Sequence, residues 1–157
     1  MNLTLEKVEP TPENGKRIAD FLAEHFWAEH SLSGEGSPPI EWGRASSHIN
    51  HFLFEGIVYN VLDGDTIIGS IAAGPDDYWW SAEQYVRDGW FYVLPEYRNL
   101  KDKIPPSHLL IDAVIEYAKE QDKPLILGIF NLEGVERAKK LFDKKGFHQI
   151  GGMYYRE

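Results

Sequence analysis

The sequence predicts an α+β fold, a mixed α/β arrangement in which a single central sheet is flanked by helices. Strand-like and helical segments follow one another in the order β-α-α-β-β-β-α-β-α-β, and such an order packs into layers around one sheet. The helical segment 106–121 lies between the strand-like segment 89–94 and the continuous apolar run 124–130. These two strands are expected to be parallel neighbours joined by a right-handed crossover. At 157 residues, 1–157 is expected to be one domain.

The first third of the chain contains one predicted strand and two predicted helices. Residues 3–8 alternate in the manner of a short, half-buried strand. A helix is predicted to run to about His30, because Thr11 suits the N-cap, Pro12 suits the first helical position, and apolar residues then recur at helical spacing. Glycine, serine and proline make 31–39 a surface loop, and a second helix is predicted at 40–54.

A β-hairpin is predicted next. Residues 56–63 and 66–73 have strand-like composition, and the Asp-Gly-Asp between them is a strong hairpin signal. Residues 74–77 predict a further turn. The aromatic cluster Tyr78, Trp79 and Trp80 follows, and the sequence leaves open whether it is exposed or buried.

Residues 88–120 predict a strand, a basic loop and a helix. Aromatic and β-branched residues at 89–94 favour a strand, and the proline after them ends it. Arg98, Lys101 and Lys103 follow within six residues, just before two prolines that start the helix. Unpaired N–H groups and the helix dipole stabilise an anion at such a helix start, a phosphate in particular. The alternative is a solvated surface loop that carries lysines by chance.

Two elements close the chain. A helix is predicted at 133–145, with Gly146 as its C-cap. Residues 147–156 are predicted to form a last strand or hairpin.

The composition excludes several classes of protein. The formal net charge of −9 disfavours nonspecific nucleic-acid binding and permits a cationic substrate, such as an amine, to be attracted to the surface. The chain has no cysteine, so it has neither disulfides nor thiolate metal sites. The sequence contains no run of about 18 apolar residues, and residues 1–10 lack the basic flank and apolar stretch of a signal peptide, so we expect neither a membrane span nor a signal peptide. We therefore expect a cytoplasmic protein with no membrane or nucleic-acid partner, and we leave a homodimer open.

Four stretches resemble the GNAT acetyltransferase superfamily, most strongly after residue 88. The Val-x-Pro-x-Tyr-Arg pattern of that family occurs as Tyr-Val-Leu-Pro-Glu-Tyr-Arg at 92–98. Its Leu-aromatic-x-x-x-Gly-Phe pattern occurs as Leu-Phe-Asp-Lys-Lys-Gly-Phe at 141–147. Residues 76–81 and 151–155 are similar to a subgroup often encoded in bacteriophage genomes, which would place the protein in the host cytoplasm. The resemblance implies a GNAT-like fold.

The resemblance also implies that acetyl-CoA is the donor and that an amine, either small or on a protein, is the acceptor. The residues that it assigns to acetyl-CoA are the central-strand backbone at Phe91, Tyr92 and Val93, the phosphate-loop residues Arg98, Lys101, Lys103 and Ser107, and Asn131 beside the pantetheine arm.

The sequence departs from the family pattern in two places. The loop 98–106 has no glycine, so side chains must hold more of the pyrophosphate than backbone N–H groups do. Phe142 stands where many members have a tyrosine that protonates the leaving thiolate. Either Tyr154 or a water replaces that tyrosine, or the thiolate leaves unassisted, since a thiol pKa of about 8.5 allows it.

Two carboxylates are candidates for the general base that deprotonates the acceptor amine. Glu83 and Asp88 flank the central strand on its N-terminal side. The plain alternative is a pair of solvated carboxylates at a strand edge. The N–H of Val93 is the candidate donor to the oxyanion.

Histidines and tryptophans supply weaker signals. His48 and His51 have helical spacing, but no cysteine or carboxylate completes a ligand set, so no metal site is predicted. Trp27, Trp42, Trp79 and Trp80 either line an acceptor cleft or pack in the core.

Two functional hypotheses therefore stand. The first is an acetyl-CoA-dependent N-acetyltransferase, which the intact strand motif and the basic loop favour. The second is a catalytically silent protein of GNAT fold that binds a partner, which the missing glycines and Phe142 favour.

Overall fold

A computed structural model describes residues 1–29, 38–129, 132–154 and 156, and in them the chain forms one five-stranded sheet with the strand order β1-β2-β3-β4-β5. β1 to β4 pair in antiparallel fashion, whereas β4 and β5 are parallel. The strands are β1 (Leu3–Lys7), β2 (Ile57–Asp63), β3 (Thr66–Asp77), β4 (Gln84–Val93) and β5 (Leu125–Ile126).

Five α-helical segments connect and cover these strands, and none in the described ranges is long and apolar enough to cross a membrane. The first begins as predicted, because the Thr11 hydroxyl accepts a hydrogen bond from the N–H of Asn14 at 3.1 Å. It continues through a π-helical stretch, Leu22–Phe26, into the second. The helices are α1 (Pro12–Phe21), α2 (Trp27–Glu29), α3 (Trp42–Glu55), α4 (Pro106–Glu120) and α5 (Leu132–Lys144).

The helices cover both faces of the sheet. Trp90 and Val93 are an odd number of residues apart on β4, so their side chains point to opposite faces. The Trp90 ring contacts Phe52 of α3, with ring centroids 6.0 Å apart. Val93 lies with Leu110 of α4 against Gly69 of β3. β4 is therefore buried between α3 and α4. Its two ends, and the part of its edge beyond the two residues that pair with β5, remain accessible for function.

The predicted α+β class, the hairpin and the parallel crossover are confirmed. β2 and β3 pair in antiparallel fashion around Gly64, whose φ of 61° is the left-handed conformation that glycine favours. β4 and β5 flank α4 and are parallel neighbours. Gly146, with a φ of 87°, follows the last helix as its predicted C-cap.

Two predicted strands and one predicted turn are wrong. Residues 74–77, predicted to be a turn, are the end of β3 and pair with β4. The strand predicted at 124–130 is reduced to the two residues Leu125–Ile126, with its last position outside the described residues. The strand or hairpin predicted at 147–156 does not form in its described part, 147–154 and 156. Its apolar side chains Ile150, Met153 and Tyr154 are exposed. A strand needs a paired neighbour, and the very short β5 offers almost no edge on which the segment could add.

Candidate active site

One candidate base, Asp88, lies where β4 and β5 separate. Among the described residues, β5 pairs only with Val86 and Arg87, and the N–H of Val86 donates to the carbonyl of Pro124 at 2.8 Å. One residue further along β4, the N–H of Gly128 donates instead to the Asp88 carboxylate, Oδ1, at 3.1 Å. A side chain thus replaces the backbone ladder at this point. We call the place where Asp88 binds Gly128 the splay.

Beyond the splay, one edge of β4 faces away from its neighbour β3. The N–H of Leu94 donates to Ile68 of β3 at 2.9 Å. Backbone groups of successive residues in a strand point to alternate sides, so those of Phe91 and Val93 point away from β3. No described strand pairs with these two residues on that side. Two of the three predicted acetyl-CoA-binding strand residues therefore present backbone groups there, while Tyr92 faces β3.

A β-bulge lies beside the splay. Trp90 pairs with Ala72 and Asp88 with Ala73, so Gly89 is the extra residue. A Cβ at Gly89 would lie 2.6 Å from ring carbons of Phe52, so a larger residue would displace that ring. The bulge is thus held tightly against α3.

A histidine on α3 fixes the backbone of the bulge. Nε2 of His48 lies 3.1 Å from the carbonyl oxygen of Gly89. A carbonyl only accepts, so Nε2 must carry the proton and donate it. The His48 ring also packs edge-on against Phe52, at a centroid distance of 5.0 Å.

Asp88 has the ionisation behaviour of a base that works near neutral pH. Burial raises the pKa of Asp88 from 3.8 to about 6, and the hydrogen bond from Gly128 opposes that rise. A carboxyl with this pKa is ionised at pH 7 and still accepts a proton readily.

A cluster of charges lies at the other end of the free edge. Both terminal nitrogens of Arg98 donate to the carboxylate of Glu29 on α2, at 3.0 and 2.9 Å. The Tyr92 hydroxyl donates a hydrogen bond to the same carboxylate, and a guanidinium nitrogen of Arg137 lies 4.0 Å from it. Burial alone would raise the pKa of Glu29, but the hydrogen bonds from Arg98 and Tyr92 hold it below 4.5. Burial and the Glu29 carboxylate raise the pKa of Tyr92.

Arg98 is therefore engaged within the protein. Its Nε donates to the carbonyl of Val93 at 2.8 Å, and the central carbon of its guanidinium lies 5.2 Å from the centroid of the Tyr92 ring. The predicted phosphate contact of Arg98 would require its guanidinium to leave Glu29. The role that stays compatible with these contacts is to hold the end of β4 against α2.

The remaining loop residues are more accessible. Lys101 is exposed, and Nζ of Lys103 donates to the carbonyl of Met1 at 2.7 Å. The prolines at 105 and 106 have no N–H, and the N–H of His108 donates to the carbonyl of Pro105 at 3.0 Å. In the first turn of α4, the half-buried Ser107 is therefore the described residue whose N–H is available to donate a hydrogen bond to a phosphate.

Three predicted site residues are not brought to the splay by any described contact. Glu83 is exposed in the connection between β3 and β4, where its N–H donates to Oγ of Ser81 at 3.1 Å. Tyr154 is 100% exposed in the C-terminal segment. Asn131 lies outside the described residues.

The histidine pair does not assemble a metal centre in the described part of the chain, where no group of three or more histidine and carboxylate side chains could hold an ion. His48 binds the bulge, and the His51 ring packs on Phe52 at 5.2 Å.

Sequence reasoning missed Glu29 and Gly128. Glu29 is one of 25 acidic residues, and nothing in its neighbourhood distinguishes it. Gly128 lies inside an apolar run whose glycine was a signal for a close backbone approach.

Comparison with known proteins identifies the fold. No protein-family model matches the sequence, and no curated protein matches it. The structure is similar to that of a GNAT-family acetyltransferase from Streptococcus pneumoniae, with a TM-score of 0.70, 18% identity, and coverage of 99% of this chain and 92% of that chain. It is also similar to the aminoglycoside acetyltransferase AAC(6')-Iy in complex with a bisubstrate analog of CoA, with a TM-score of 0.67, 16% identity, and coverage of 100% and 99%.

A third similar structure is a polyamine N-acetyltransferase from Drosophila melanogaster, with a TM-score of 0.67, 12% identity, and coverage of 89% of this chain and 82% of that chain. At such identities the likeness shows the fold alone. The chain has the GNAT fold, as the motifs at 92–98 and 141–147 predicted.

Proposed function

We propose that this protein is a GNAT-type N-acetyltransferase, which moves an acetyl group from acetyl-CoA to an amine on a small molecule or a protein. The observation that carries the proposal is the free edge of β4, which runs from Val93 to the splay at Asp88. The fold is also similar to that of AAC(6')-Iy, which was solved with a bisubstrate analog of CoA, and this similarity supports acetyl-CoA as the donor.

The chain's own residues suit acetyl-CoA in this position. The N–H groups of Phe91 and Val93 would bond the arm of acetyl-CoA as a neighbouring strand does. The diphosphate would lie by Ser107, at the positive end of the α4 dipole, with Lys101 and Lys103 beside it. These lysines replace the backbone donors that a glycine-rich loop supplies.

Asp88 is the better placed of the two candidate bases, because it lies at the splay. The amine nitrogen attacks the thioester carbonyl carbon, a C–N bond forms, and the C–S bond breaks. The Asp88 carboxylate takes the proton that the amine loses, and an N–H of the free edge donates to the oxyanion. CoA leaves as its thiolate and takes a proton from water, or from Tyr154 if the C-terminal segment closes over the site.

We place the protein in the cytoplasm. Residues 76–81 and 151–155 resemble a subgroup often encoded in bacteriophage genomes, and for a bacteriophage protein this would be the cytoplasm of the host. The proposal includes no nucleic acid or membrane as partner, because the chain carries a net charge of −9. A homodimer is compatible with it.

A second candidate function is a catalytically silent protein that binds a partner. The observation that favours it is Arg98, whose guanidinium pairs with Glu29 and whose Nε occupies the carbonyl of Val93 on the free edge. Phe142 adds to it, since it supplies no proton.

Calorimetric titration with acetyl-CoA and with CoA distinguishes the two functions. Binding of both is expected, and Lys101→Ala/Lys103→Ala should weaken it about fivefold at low salt, since two exposed charge contacts are worth about 1 kcal/mol together. The difference should shrink at high salt. Lys16→Ala/Lys139→Ala, which removes two exposed lysines on α1 and α5, is the matched control. No heat at millimolar ligand would leave only the silent protein.

A screen for acetyl transfer to amines, peptides and aminoglycosides would then identify the class of acceptor. Transfer should fall as pH drops below about 6, because Asp88 becomes protonated.

A further inference from the structure

The connection between β3 and β4 carries three aromatic residues that the described fold does not bury. Trp79 is 90% exposed and Trp80 is 67% exposed, whereas Trp90 on β4 is buried. We call Tyr78, Trp79 and Trp80 the aromatic tip. Two neighbouring exposed indoles leave a large apolar area in water, which soluble proteins usually keep for binding.

The aromatic tip is an ordered surface that continues into β4. Ring centroids lie 5.4 Å apart between Trp79 and Trp80, 5.2 Å between Trp80 and Tyr78, and 4.8 Å between Tyr78 and Tyr85. The backbone is tied across the turn, because the N–H of Ser81 donates to the carbonyl of Tyr78 at 3.3 Å. Rings held in this way lose little entropy when a ligand stacks on them.

Carboxylates flank the aromatic tip along the chain. Among the described residues, the Asp77 carboxylate accepts a hydrogen bond from a neutral group, Nε2 of Gln84 at 2.8 Å, and forms no ion pair. The exposed carboxylate of Glu83 likewise has no described cation within salt-bridge distance. Lys123 is directed to Oε1 of Gln84 at 3.0 Å and not to a carboxylate.

A third carboxylate, Asp76, is already neutralised by Arg87 at 2.9 Å. The unneutralised charge of the tip is therefore negative, as it is for the whole chain at −9. Aromatic faces attract cations, and the neighbouring carboxylates add to that attraction.

We propose that the aromatic tip docks a basic segment of a polypeptide, the segment that flanks the amine to be acetylated. The inference rests on the proposed function for the role of that amine. The tip precedes β4 and the phosphate loop, residues 98–106, follows it, so the two lie at opposite ends of this strand. The splay lies between them along the strand. Gln84 precedes Asp88 by four residues, so an acceptor that reaches both the splay and the tip spans at least about 13 Å.

This span and this charge select a polypeptide over other occupants. About four extended residues cover 13 Å, and their lysine and arginine side chains can stack on the indoles. A second copy of the chain in a two-fold dimer would place Asp77 and Glu83 opposite the same groups, which repels it. The acidic surface likewise repels nucleic acid.

Calorimetry with two short synthetic peptides tests the docking directly. In one, lysine and arginine alternate with serine; in the other, glutamate replaces the basic residues. The basic peptide should bind and the acidic one should not. Trp79→Ala/Trp80→Ala should weaken the basic peptide about tenfold, because each cation–π contact contributes about three- to fivefold. The matched control is Phe54→Ala, since Phe54 is a 58% exposed aromatic residue of α3 that is not part of the tip, and its variant should bind unchanged.

Acetyl-CoA titrations on the same variants separate the docking from the proposed function. If acetyl-CoA does not bind while the basic peptide binds through the tip, the enzyme proposal fails and the docking surface stands. If the double tryptophan variant binds the basic peptide as the natural chain does, the docking is refuted. Concentration-dependent dimerisation in the ultracentrifuge that the double variant abolishes would also refute it, since a second copy would then be the occupant.

Discussion

Asp88→Asn is expected to stabilise the protein at neutral pH while it removes acetyl transfer. Asparagine keeps the Oδ1 acceptor for the N–H of Gly128, but it cannot take up the proton that the amine loses. If Asp88 is the base, transfer should fall about 10²- to 10⁴-fold with little change in acetyl-CoA binding.

The stability effect follows from the raised pKa of Asp88. In the folded protein this pKa is about 6, compared with 3.8 for an ordinary aspartate. A group whose folded pKa is raised contributes its stability below the unfolded value and loses it as the pH rises through the folded value. Ionised Asp88 therefore costs up to about 3 kcal/mol above pH 6, since one pKa unit corresponds to about 1.4 kcal/mol. Asparagine, being neutral, avoids that cost.

Urea unfolding at pH 4, 6 and 8 measures the effect. The variant should exceed the natural chain by about 1–3 kcal/mol at pH 8, by less at pH 6, and by almost nothing at pH 4. Asp65→Asn, which changes an exposed carboxylate in the turn between β2 and β3, should show no such trend and serves as control. A stability difference that is equal at pH 4 and pH 8, or a variant that is less stable at pH 8, would refute the burial argument. In either case the hydrogen bond from Gly128, and not the burial of the charge, would determine the stability difference.

Two further predictions concern the packing around the splay. Gly89→Ala should lower the free energy of unfolding in urea by about 1–3 kcal/mol, because the new Cβ would lie 2.6 Å from ring carbons of Phe52. The control is Gly43→Ala, whose Cβ would have no atom within 4 Å, so it should leave that free energy unchanged or raise it by up to about 1 kcal/mol. Equal effects of the two substitutions would contradict the steric explanation. Glu29→Gln should lower the unfolding free energy by about 1–3 kcal/mol at pH 7, since charge-assisted hydrogen bonds from Arg98 are lost. Because the folded pKa of Glu29 is lowered, that difference should shrink as the pH falls below 4.5, and a pH-independent difference would exclude the charge as its source.

The predictable parts of the fold are those with local causes. Thr11 caps its helix, Gly64 turns its hairpin and Gly146 ends the last helix through contacts with residues a few positions away. The crossover through α4 followed from handedness and spacing. The strand predicted at 147–156 was wrong because a strand needs the edge of a neighbouring strand to pair with. That neighbour, β5, is short because the chain separates from β4 at Asp88.

The candidate site divides in the same way. The sequence by itself determined that a strand, a basic loop and a helix start follow one another at 88–120, because these elements are adjacent along the chain. It also offered Asp88, with Glu83, as a candidate base. Only the tertiary structure decided that Arg98 pairs with Glu29, 69 residues earlier, and that Asp88 meets Gly128, 40 residues later. The physical reason is that burial and distant hydrogen-bond partners determine the ionisation and the orientation of a side chain, and no local pattern records either.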